Sequence, residues 1–231
     1  MKYAALFTGG KDSVYALYLA KQQGHEITCL ITILSENLYS HMFHTPAIEL
    51  TSLQAEALGL PVVLGKTHGE KEKELADLEQ TIKQAQKKYS FTGLLTGALF
   101  SEYQSSRINK IATKLGLTVY SPLWHKPQEE HLRELITAGF KIIFTAVAAE
   151  GLDSSWLNKE ITFKELEKLI QLQKKIGLHI AGEGGEFESL VLDCPLFKKK
   201  LVIEDSETVI ENKNTARLII KKARLYSKNN K

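Results

Sequence analysis

Short apolar runs alternate with stretches of helical periodicity through the first half of the chain. The runs have the length of strands, and residues 27–34 are apolar nearly throughout, as in a parallel sheet covered on both faces. The predicted strands are residues 3–7, 27–34, 61–64, 93–96 and 117–120. Such an alternation forces right-handed crossovers and places ligands at the carboxyl ends of the strands.

Helices are predicted between these strands, at residues 14–20, 45–59, 70–89 and 101–115. The second is expected to begin with Thr45 as N-cap and Pro46 at the first helical position, and to end at Gly59. The third is dense in charge but keeps apolar residues three or four apart, at Leu78, Ile82 and Ala85 among others. That spacing predicts an amphipathic helix on the surface.

The alternation breaks at residues 122–127, and the pattern beyond them differs. A helix to Gly139, a strand at 140–148 and a helix at 163–176 are followed by a glycine-rich segment. Three further strands are predicted, at residues 187–192, 200–203 and 216–225. We therefore expect an α/β domain with a parallel sheet over residues 1–125, followed by a smaller α+β domain over residues 126–231.

Composition narrows the class of partner and the compartment. The chain has 231 residues with 30 basic and 27 acidic side chains, so its surface is mixed and argues against a large nucleic-acid footprint. Cys29 and Cys194 lie far apart in the sequence and form no CxxC motif, so neither a zinc site nor a disulfide framework is predicted. A reducing compartment fits this cysteine usage. Neither a secretory signal nor an apolar stretch near 18 residues is evident, so we expect a cytoplasmic protein without a membrane span.

A glycine loop directly after the first strand is the clearest chemical signal. Its residues are Thr8, Gly9, Gly10, Lys11, Asp12 and Ser13. Paired glycines at a helix N-terminus let backbone N–H groups approach an anion, and Lys11 and Ser13 add a charge and a hydroxyl. Asp12 would repel phosphates unless it caps the helix or binds a cation such as Mg²⁺. The alternative is a plain glycine turn.

A second polar cluster follows the fourth predicted strand. Gly97 ends that strand, and Ser101, Gln104 and Arg107 fall three apart on one face of the next helix. An arginine in that position suits a phosphate or a carboxylate, whereas the alternative is a solvated first turn. His44 precedes a predicted helix on the same side of the sheet, so it could face a nucleotide, although a lone histidine is usually structural.

The third cluster is acidic and lies in the second half of the chain. Glu183, Glu186 and Glu188 stand among three glycines at 182–188, an arrangement that costs folding energy because the carboxylates repel one another. It suggests a site for a metal, an ammonium ion or an amine, and an acidic turn is the alternative. His25, His68 and His179 show no ligand spacing and receive no role.

Taken together, the three clusters resemble the diphthine–ammonia ligase family. Residues 8–13, 35–37, 44–45, 97–107 and 182–188 carry the resemblance, which covers nearly the whole chain. Thr8 stands where serine is common in the family, and Phe187 replaces a frequent tyrosine. The resemblance implies an N-type ATP pyrophosphatase domain with an adenine-nucleotide α-hydrolase-like, Rossmann-like fold, joined to a C-terminal domain particular to the family.

The implied activity is amide formation with ATP and Mg²⁺. Family members adenylate the carboxylate of diphthine on the translocating elongation factor and release pyrophosphate. Ammonia, formed from free ammonium, then displaces AMP to give diphthamide. The resemblance also favours a homodimer. Two alternatives stay open from the residues alone, namely a tRNA-modifying enzyme of the PP-loop superfamily and a non-catalytic nucleotide sensor.

Roles follow for individual residues under this interpretation. The expected catalytic residues are Lys11, Glu183, Glu186 and Glu188, with the glutamates as candidate proton acceptors for ammonia. The expected nucleotide-binding residues are Thr8, Gly9, Gly10, Lys11, Asp12, Ser13, His44, Gly97, Ser101, Gln104 and Arg107. Asp12 is also the expected magnesium ligand.

Overall fold

The computed structural model describes residues 1–35, 50–69 and 73–228. Within these ranges the strands are β1 (Lys2–Leu6), β2 (Glu26–Ser35), β3 (Val62–Thr67), β4 (Gly93–Leu95), β5 (Thr118–Tyr120), β6 (Lys141–Ala148), β7 (Phe187–Asp193), β8 (Lys199–Asn212) and β9 (Thr215–Ser227). The helices are α1 (Lys11–Gln22), α2 (Thr51–Leu58), α3 (Lys73–Lys88), α4 (Glu102–Lys114), α5 (Gln128–Thr137) and α6 (Phe163–Ile176). Of the helices in these ranges, none has both the length and the apolar character that crossing a bilayer requires.

The first sheet is parallel and has the order β3-β2-β1-β4-β5. The chain moves outward from β1 to β3 on one side and then returns to β4 on the other side, so the winding direction reverses between β1 and β4. A crevice opens at the carboxyl ends of two such strands, because their connections leave to opposite faces. The predicted parallel α/β class is confirmed, and the glycine loop lies at this reversal.

The second sheet is antiparallel, with the order β7-β6-β9-β8. Strand β8 runs to Asn212, so the predicted short strand at 200–203 was wrong in length. The missed part is polar and lacks an alternating apolar pattern. Ion pairs across the hairpin, Lys222 with Glu204 at 2.7 Å and Lys221 with Glu207 at 2.6 Å, accompany its pairing with β9.

One apolar core joins the two sheets. From the first half of the chain it includes Phe7, directly after β1, and Leu17 of α1. From the second half it includes Leu135 of α5 and Phe144 of β6. A separate cluster covers the opposite face of the first sheet, where Leu78, among others, packs from α3. The shared core fixes α1 against the second half of the chain, because close-packed interiors leave little freedom for relative movement.

Several predicted helix ends agree with the structure. Gly59 ends α2 with φ of 67° and Gly177 ends α6 with φ of 74°, the left-handed conformation that glycine adopts without strain. Ser101 caps α4 by accepting a hydrogen bond from the Gln104 backbone N–H at 3.3 Å. The predicted helix start at Thr45 and Pro46 lies outside the described residues. Within the described residues, α2 begins at Thr51.

Candidate active site at the strand reversal

The glycine loop connects β1 to α1 in a tight path. Gly9 has φ of 77°, and a Cβ at this position would lie 1.9 Å from Oε1 of Gln54. Both the backbone conformation and the packing therefore require glycine. Gly10 is the N-cap of α1 and, as a glycine, has no side chain that could cap the helix. A helix N-terminus suits an anion through its backbone N–H groups, of which that of Lys11 already donates to Oγ of Ser189 at 3.2 Å.

Gly97 brings the loop after β4 against the start of α1. A Cβ at Gly97 would lie 2.7 Å from the carbonyl carbon of Asp12 and 2.7 Å from the backbone nitrogen of Ser13. A side chain at this position would push the two backbones apart. The sequence singled out Gly97 as the end of a strand, and the structure adds a steric reason for glycine.

A cavity of about 330 Å³ lies between this loop and the second half of the chain. The residues of the glycine loop that line it are Thr8, Gly10, Lys11, Asp12 and Ser13. From the segment after β4 come Gly97, Ser101 and Gln104, and from the acidic motif and β7 come Glu183, Glu188 and Ser189. All three clusters found in the sequence thus contribute to one cavity.

Lys11 is buried at the point where the two halves of the chain meet. Its side chain donates to the Ala181 carbonyl oxygen at 2.5 Å and to Oδ2 of Asp12 at 2.8 Å. Its backbone N–H donates to Oγ of Ser189 at 3.2 Å. The ammonium also lies 5.3 Å from the centre of the Phe187 ring. These contacts offset the cost of burying a charge.

Asp12 has partners on both carboxylate oxygens. Oδ2 accepts from Lys11, and Oδ1 lies 2.7 Å from Nε2 of His131, a fully buried residue of α5. Burial alone would raise the pKa of Asp12, but the Lys11 charge and the His131 hydrogen bond outweigh it and lower that pKa to about 2. Asp12 is therefore ionised throughout the physiological range.

Two hydroxyls hold the loop in shape. The Thr8 side chain donates to Oγ of Ser13 at 3.2 Å, and the Ser13 hydroxyl donates to the Gly10 carbonyl oxygen at 3.1 Å. The backbone N–H of Gly10 donates to Oγ1 of Thr8 at 3.4 Å. The threonine in place of the common serine keeps the hydroxyl that these bonds need.

The acidic motif gives its glutamates different surroundings. Oε2 of Glu183 accepts from the backbone N–H of Phe100 at 3.3 Å, and burial together with the negative charge of Asp12 raises the pKa of Glu183. The Glu186 carboxylate accepts from the Gly184 backbone N–H at 2.8 Å and does not line the cavity. Glu188 lines the cavity on the side of β7.

Besides Gly9, which is absent from the described lining, two expected nucleotide-binding residues are not placed at the cavity. Arg107 donates to the Tyr103 carbonyl oxygen at 3.3 Å, and its guanidinium carbon lies 3.5 Å from the centre of the Tyr103 ring. It is absent from the described lining of the cavity. His44 lies outside the described residues. Nucleotide binding by either residue stays a prediction.

Three residues that contact the site belong to none of the sequence motifs and were not predicted as site residues. The amide of Gln54 donates to the carbonyl oxygens of Gly9 at 2.9 Å and Val191 at 2.8 Å, and is fully buried. His131 reaches Asp12 from α5. His179 accepts from the Glu183 backbone N–H through Nδ1 at 3.3 Å, and burial lowers its pKa. Gln54 and His131 join the site through tertiary contacts, which spacing along the sequence does not encode, whereas His179 lies only four residues from Glu183.

The chemistry that this arrangement supports is the binding of a phosphate ester. A buried cation, the N-terminus of α1 and hydroxyls line the cavity together with the carboxylates of Asp12, Glu183 and Glu188. Among the described residues, no group of three or more His, Cys, Asp or Glu side chains is arranged to hold a metal by itself.

Comparison with known proteins gave two family matches and several relatives. Residues 1–119 match the model of the diphthamide synthase N-terminal domain, and residues 127–225 match that of the diphthamide synthase C-terminal domain. The diphthine–ammonia ligase of Mus musculus is 38% identical over 232 residues, which cover 92% of this chain and 86% of that protein.

A second relative and one solved structure complete the comparison. The diphthine–ammonia ligase of Homo sapiens is 37% identical over 235 residues, with coverage of 92% of this chain and 86% of that protein. The solved structure is that of a protein from Methanocaldococcus jannaschii described as a predicted subunit of tRNA methyltransferase. It aligns with a TM-score of 0.44 and 18% identity, over 84% of this chain and 98% of that chain.

Proposed function

The chain belongs to the diphthine–ammonia ligase family, and we propose that the cavity at the strand reversal is where it joins a carboxylate to ammonia at the expense of ATP. It is an ATP-dependent ligase of diphthamide synthesis. The acceptor is the carboxylate of diphthine on the translocating elongation factor. Its oxygen attacks the α-phosphorus, pyrophosphate leaves, and the nitrogen of ammonia then attacks the acyl carbon while AMP leaves.

The observation that carries this proposal is the position of Lys11 between two motifs. Its ammonium bonds to the Ala181 carbonyl oxygen, which is 170 residues away along the chain. The glycine loop and the start of the acidic motif therefore lie against each other, and both line one cavity that holds phosphate-binding groups and carboxylates. Adenylation followed by amidation needs both kinds of group around the same carbon atom.

The residues fit the phosphates of ATP. Gly10 opens α1 without a side-chain cap, and the absence of a side chain at Gly97 lets the loop after β4 pack against the first turn of that helix. In this proposal the backbone N–H groups of the loop and Lys11 bind the α- and β-phosphates. They stabilise the negative charge that builds on the departing pyrophosphate. Ser101 and Gln104 also line the cavity, and in this proposal they bind the nucleoside part or the α-phosphate.

Magnesium fits this donor set if it shares its ligands with ATP. Asp12 and Glu188 line the cavity, and Mg²⁺ typically takes one or two carboxylates, several waters and phosphate oxygens. Both oxygens of Asp12 have a partner, but a carboxylate oxygen has two lone pairs and can accept a second contact. The ion, when bound, neutralises charge on the leaving pyrophosphate.

Among the three glutamates, Glu183 is our candidate for the proton acceptor that converts ammonium into ammonia. It lines the cavity, and its raised pKa brings it closer to the operating pH than an ordinary carboxylate. Glu186 would act by holding the glycine turn, because its carboxylate bonds to the Gly184 N–H. Glu188 would serve the nucleotide or its metal ion.

The roles of the two domains, the compartment and the oligomeric state are proposals of the same kind. We assign ATP binding to residues 1–125 and the ammonia site to residues 126–231, with the boundary in the segment before α5. We also propose that the reaction takes place in the cytoplasm, because its protein substrate is the translocating elongation factor. A homodimer stays a prediction.

The experiment is a product assay with the purified chain, an elongation factor that carries diphthine, ATP, Mg²⁺ and ¹⁵N-ammonium. We expect AMP, pyrophosphate and ¹⁵N-labelled amide in equal amounts, and no AMP without the acceptor. ADP and phosphate as the only products would contradict the proposal. ATP binding without turnover would support a sensor, and AMP formation only with tRNA would support a tRNA-modifying enzyme.

Variants separate the two half-reactions. Lys11→Met is expected to abolish both acceptor-dependent ATP–pyrophosphate exchange and amide formation. Glu183→Gln is expected to keep the exchange but to lower amide formation by about 100-fold or more, the usual contribution of a positioned base. Loss of the exchange in Glu183→Gln would reassign this residue to the adenylation step.

A further inference from the structure

His131 is a buried residue of α5 that touches the glycine loop. It has no exposed surface, and its Nε2 lies 2.7 Å from Oδ1 of Asp12, which is 119 residues away along the chain. Among the described residues, none of those in α5 lines the cavity, and the bond from His131 to Asp12 is the contact that links this helix to it. The helix therefore reaches the candidate active site through one side chain.

The two partners of Asp12 together fix the plane of its carboxylate. Oδ2 is bonded to Lys11 and Oδ1 to His131, so rotation of the group would break one bond or the other. The other nitrogen of His131, Nδ1, is buried and has no hydrogen-bond partner among the described residues. A hydrogen on Nδ1 would thus be unsatisfied, which favours the form in which Nε2 carries the hydrogen and donates it to Asp12.

The imidazole ring is itself held in place. The ring of Tyr15 lies 5.4 Å from it, and the Tyr15 hydroxyl donates to Oε2 of Glu134 at 2.7 Å. Glu134 in turn accepts from Lys126 at 2.8 Å. These contacts restrict the movement of His131 from the side away from the cavity. None of the three supporting residues lines the cavity itself.

We propose that His131 is a positioning residue of the ATP site: it orients the Asp12 carboxylate, and through it the Lys11 ammonium, toward the phosphates. This inference rests on the proposed function. An apolar side chain of similar size would fill the same space in the core without the cost of burying a polar ring. What such a side chain would not supply is the hydrogen bond to Asp12.

The test compares His131→Leu, which removes the donor, with His131→Gln, whose amide nitrogen can occupy the place of Nε2. ATP affinity is measured by equilibrium titration with Mg²⁺ and no acceptor, and kinetics give the KM values for ATP and ammonium. We expect His131→Leu to weaken ATP binding by about 10- to 100-fold, the usual effect of removing a group that orients a liganding carboxylate. His131→Gln should recover most of that loss, and the KM for ammonium should stay within about threefold.

The matched control is Glu130→Gln on the exposed face of α5, which leaves the hydrogen bond between His131 and Asp12 in place. It is expected to leave ATP affinity unchanged. Where His131→Leu does not fold, His131→Met serves as the apolar variant, because its flexible side chain fits irregular space.

The outcomes separate this inference from the proposed function. Wild-type ATP affinity in a folded Leu or Met variant would overturn the positioning role, and so would an equal loss in the Gln and apolar variants. If the wild-type chain itself makes no AMP and pyrophosphate, the proposed function fails, whatever the His131 variants show.

Discussion

At the scale of single residues, the site depends on two backbones that approach closely. Gly97 has no side chain between the loop after β4 and the first turn of α1, and Gly9 has none between the glycine loop and Gln54. The sequence predicted Gly97 and the glycine loop as site residues because glycines follow strand ends. It could not predict the contact between them, since that contact arises from the order of strands in the sheet.

Gly97→Ala is expected to lower ATP affinity at least tenfold, or about 1.4 kcal/mol, while the protein stays folded. The new methyl group would lie 2.7 Å from backbone atoms of Asp12 and Ser13, which do not move as freely as a side chain. Equilibrium titration with ATP measures the effect. Gly24→Ala is the control, because it introduces backbone strain at φ of 76° but meets no atom within 4 Å. Unchanged affinity in Gly97→Ala would show that the loop tolerates displacement.

The raised pKa of Glu183 leads us to expect that the stability of the fold, as well as the activity, depends on pH. Its pKa is raised by burial and by Asp12, so the folded state binds more protons than the unfolded state above the ordinary carboxyl pKa. Folding stability contributed by this group therefore falls as the pH rises through that window. Glu183→Gln should raise the free energy of unfolding at pH 7 relative to wild type and show a smaller gain at pH 4. Denaturant unfolding at both pH values measures this difference, and a loss of stability at pH 7 would contradict it.

At the scale of elements, α6 shows how far local sequence rules reach. Residues 163–176 were predicted as a helix and the structure has the same bounds. Thr162 is the N-cap, and its hydroxyl accepts from the Lys164 N–H at 3.3 Å. The same hydroxyl donates to Oε2 of Glu165 at 2.5 Å. Local chemistry determines such an element, so the sequence suffices to predict it.

Glu165→Gln is expected to destabilise the protein at pH 7 by about 1 kcal/mol, in the range of a lost helix cap. The hydrogen bond from Thr162 and the ion pair with Lys159, against an opposing effect of burial, lower the pKa of Glu165 to about 2. A lowered carboxyl pKa gives stability that is present above the unfolded pKa and is lost as the pH falls toward 2. The gap between wild type and variant in urea unfolding should therefore narrow from pH 7 to pH 3. A gap that is constant with pH would exclude the charged interaction.

Strand β8 shows where local rules fail. Its outer half carries acidic and polar residues without the alternation that marks a half-buried strand, and the sequence predicted only residues 200–203. Pairing with β9 and ion pairs such as Arg217 with Glu211 at 3.6 Å accompany the extension of the hairpin beyond the core. Those partners lie on another strand, so a pattern within one segment does not reveal them.

At the scale of the whole molecule, the two sheets are joined at the glycine loop. Gly9 accepts a backbone hydrogen bond from Val191 of β7 at 3.1 Å, and Gln54 bonds to both residues. The sequence predicted the three clusters and the class of each sheet. It could not predict Gln54 or His131 as members of the site, because neither stands near a motif and both act across the junction.

Gln54→Leu is expected to destabilise the protein by about 2 kcal/mol, because the Val191 carbonyl oxygen loses its amide partner in a buried place. Gln84→Leu, on the exposed face of α3, is the control and should change stability by less than about 0.5 kcal/mol. Denaturant unfolding of both variants measures the difference. Equal stability of the two variants would mean that the amide bridge contributes nothing to the junction.

The central claim is that this cavity adenylates a carboxylate before ammonia attacks it. Labelling the acceptor carboxylate with ¹⁸O and analysing the products by mass spectrometry tests that claim most directly. Attack by the carboxylate on the α-phosphorus predicts one ¹⁸O atom in AMP and none in pyrophosphate. Unlabelled AMP, or ¹⁸O in inorganic phosphate formed together with ADP, would contradict the account.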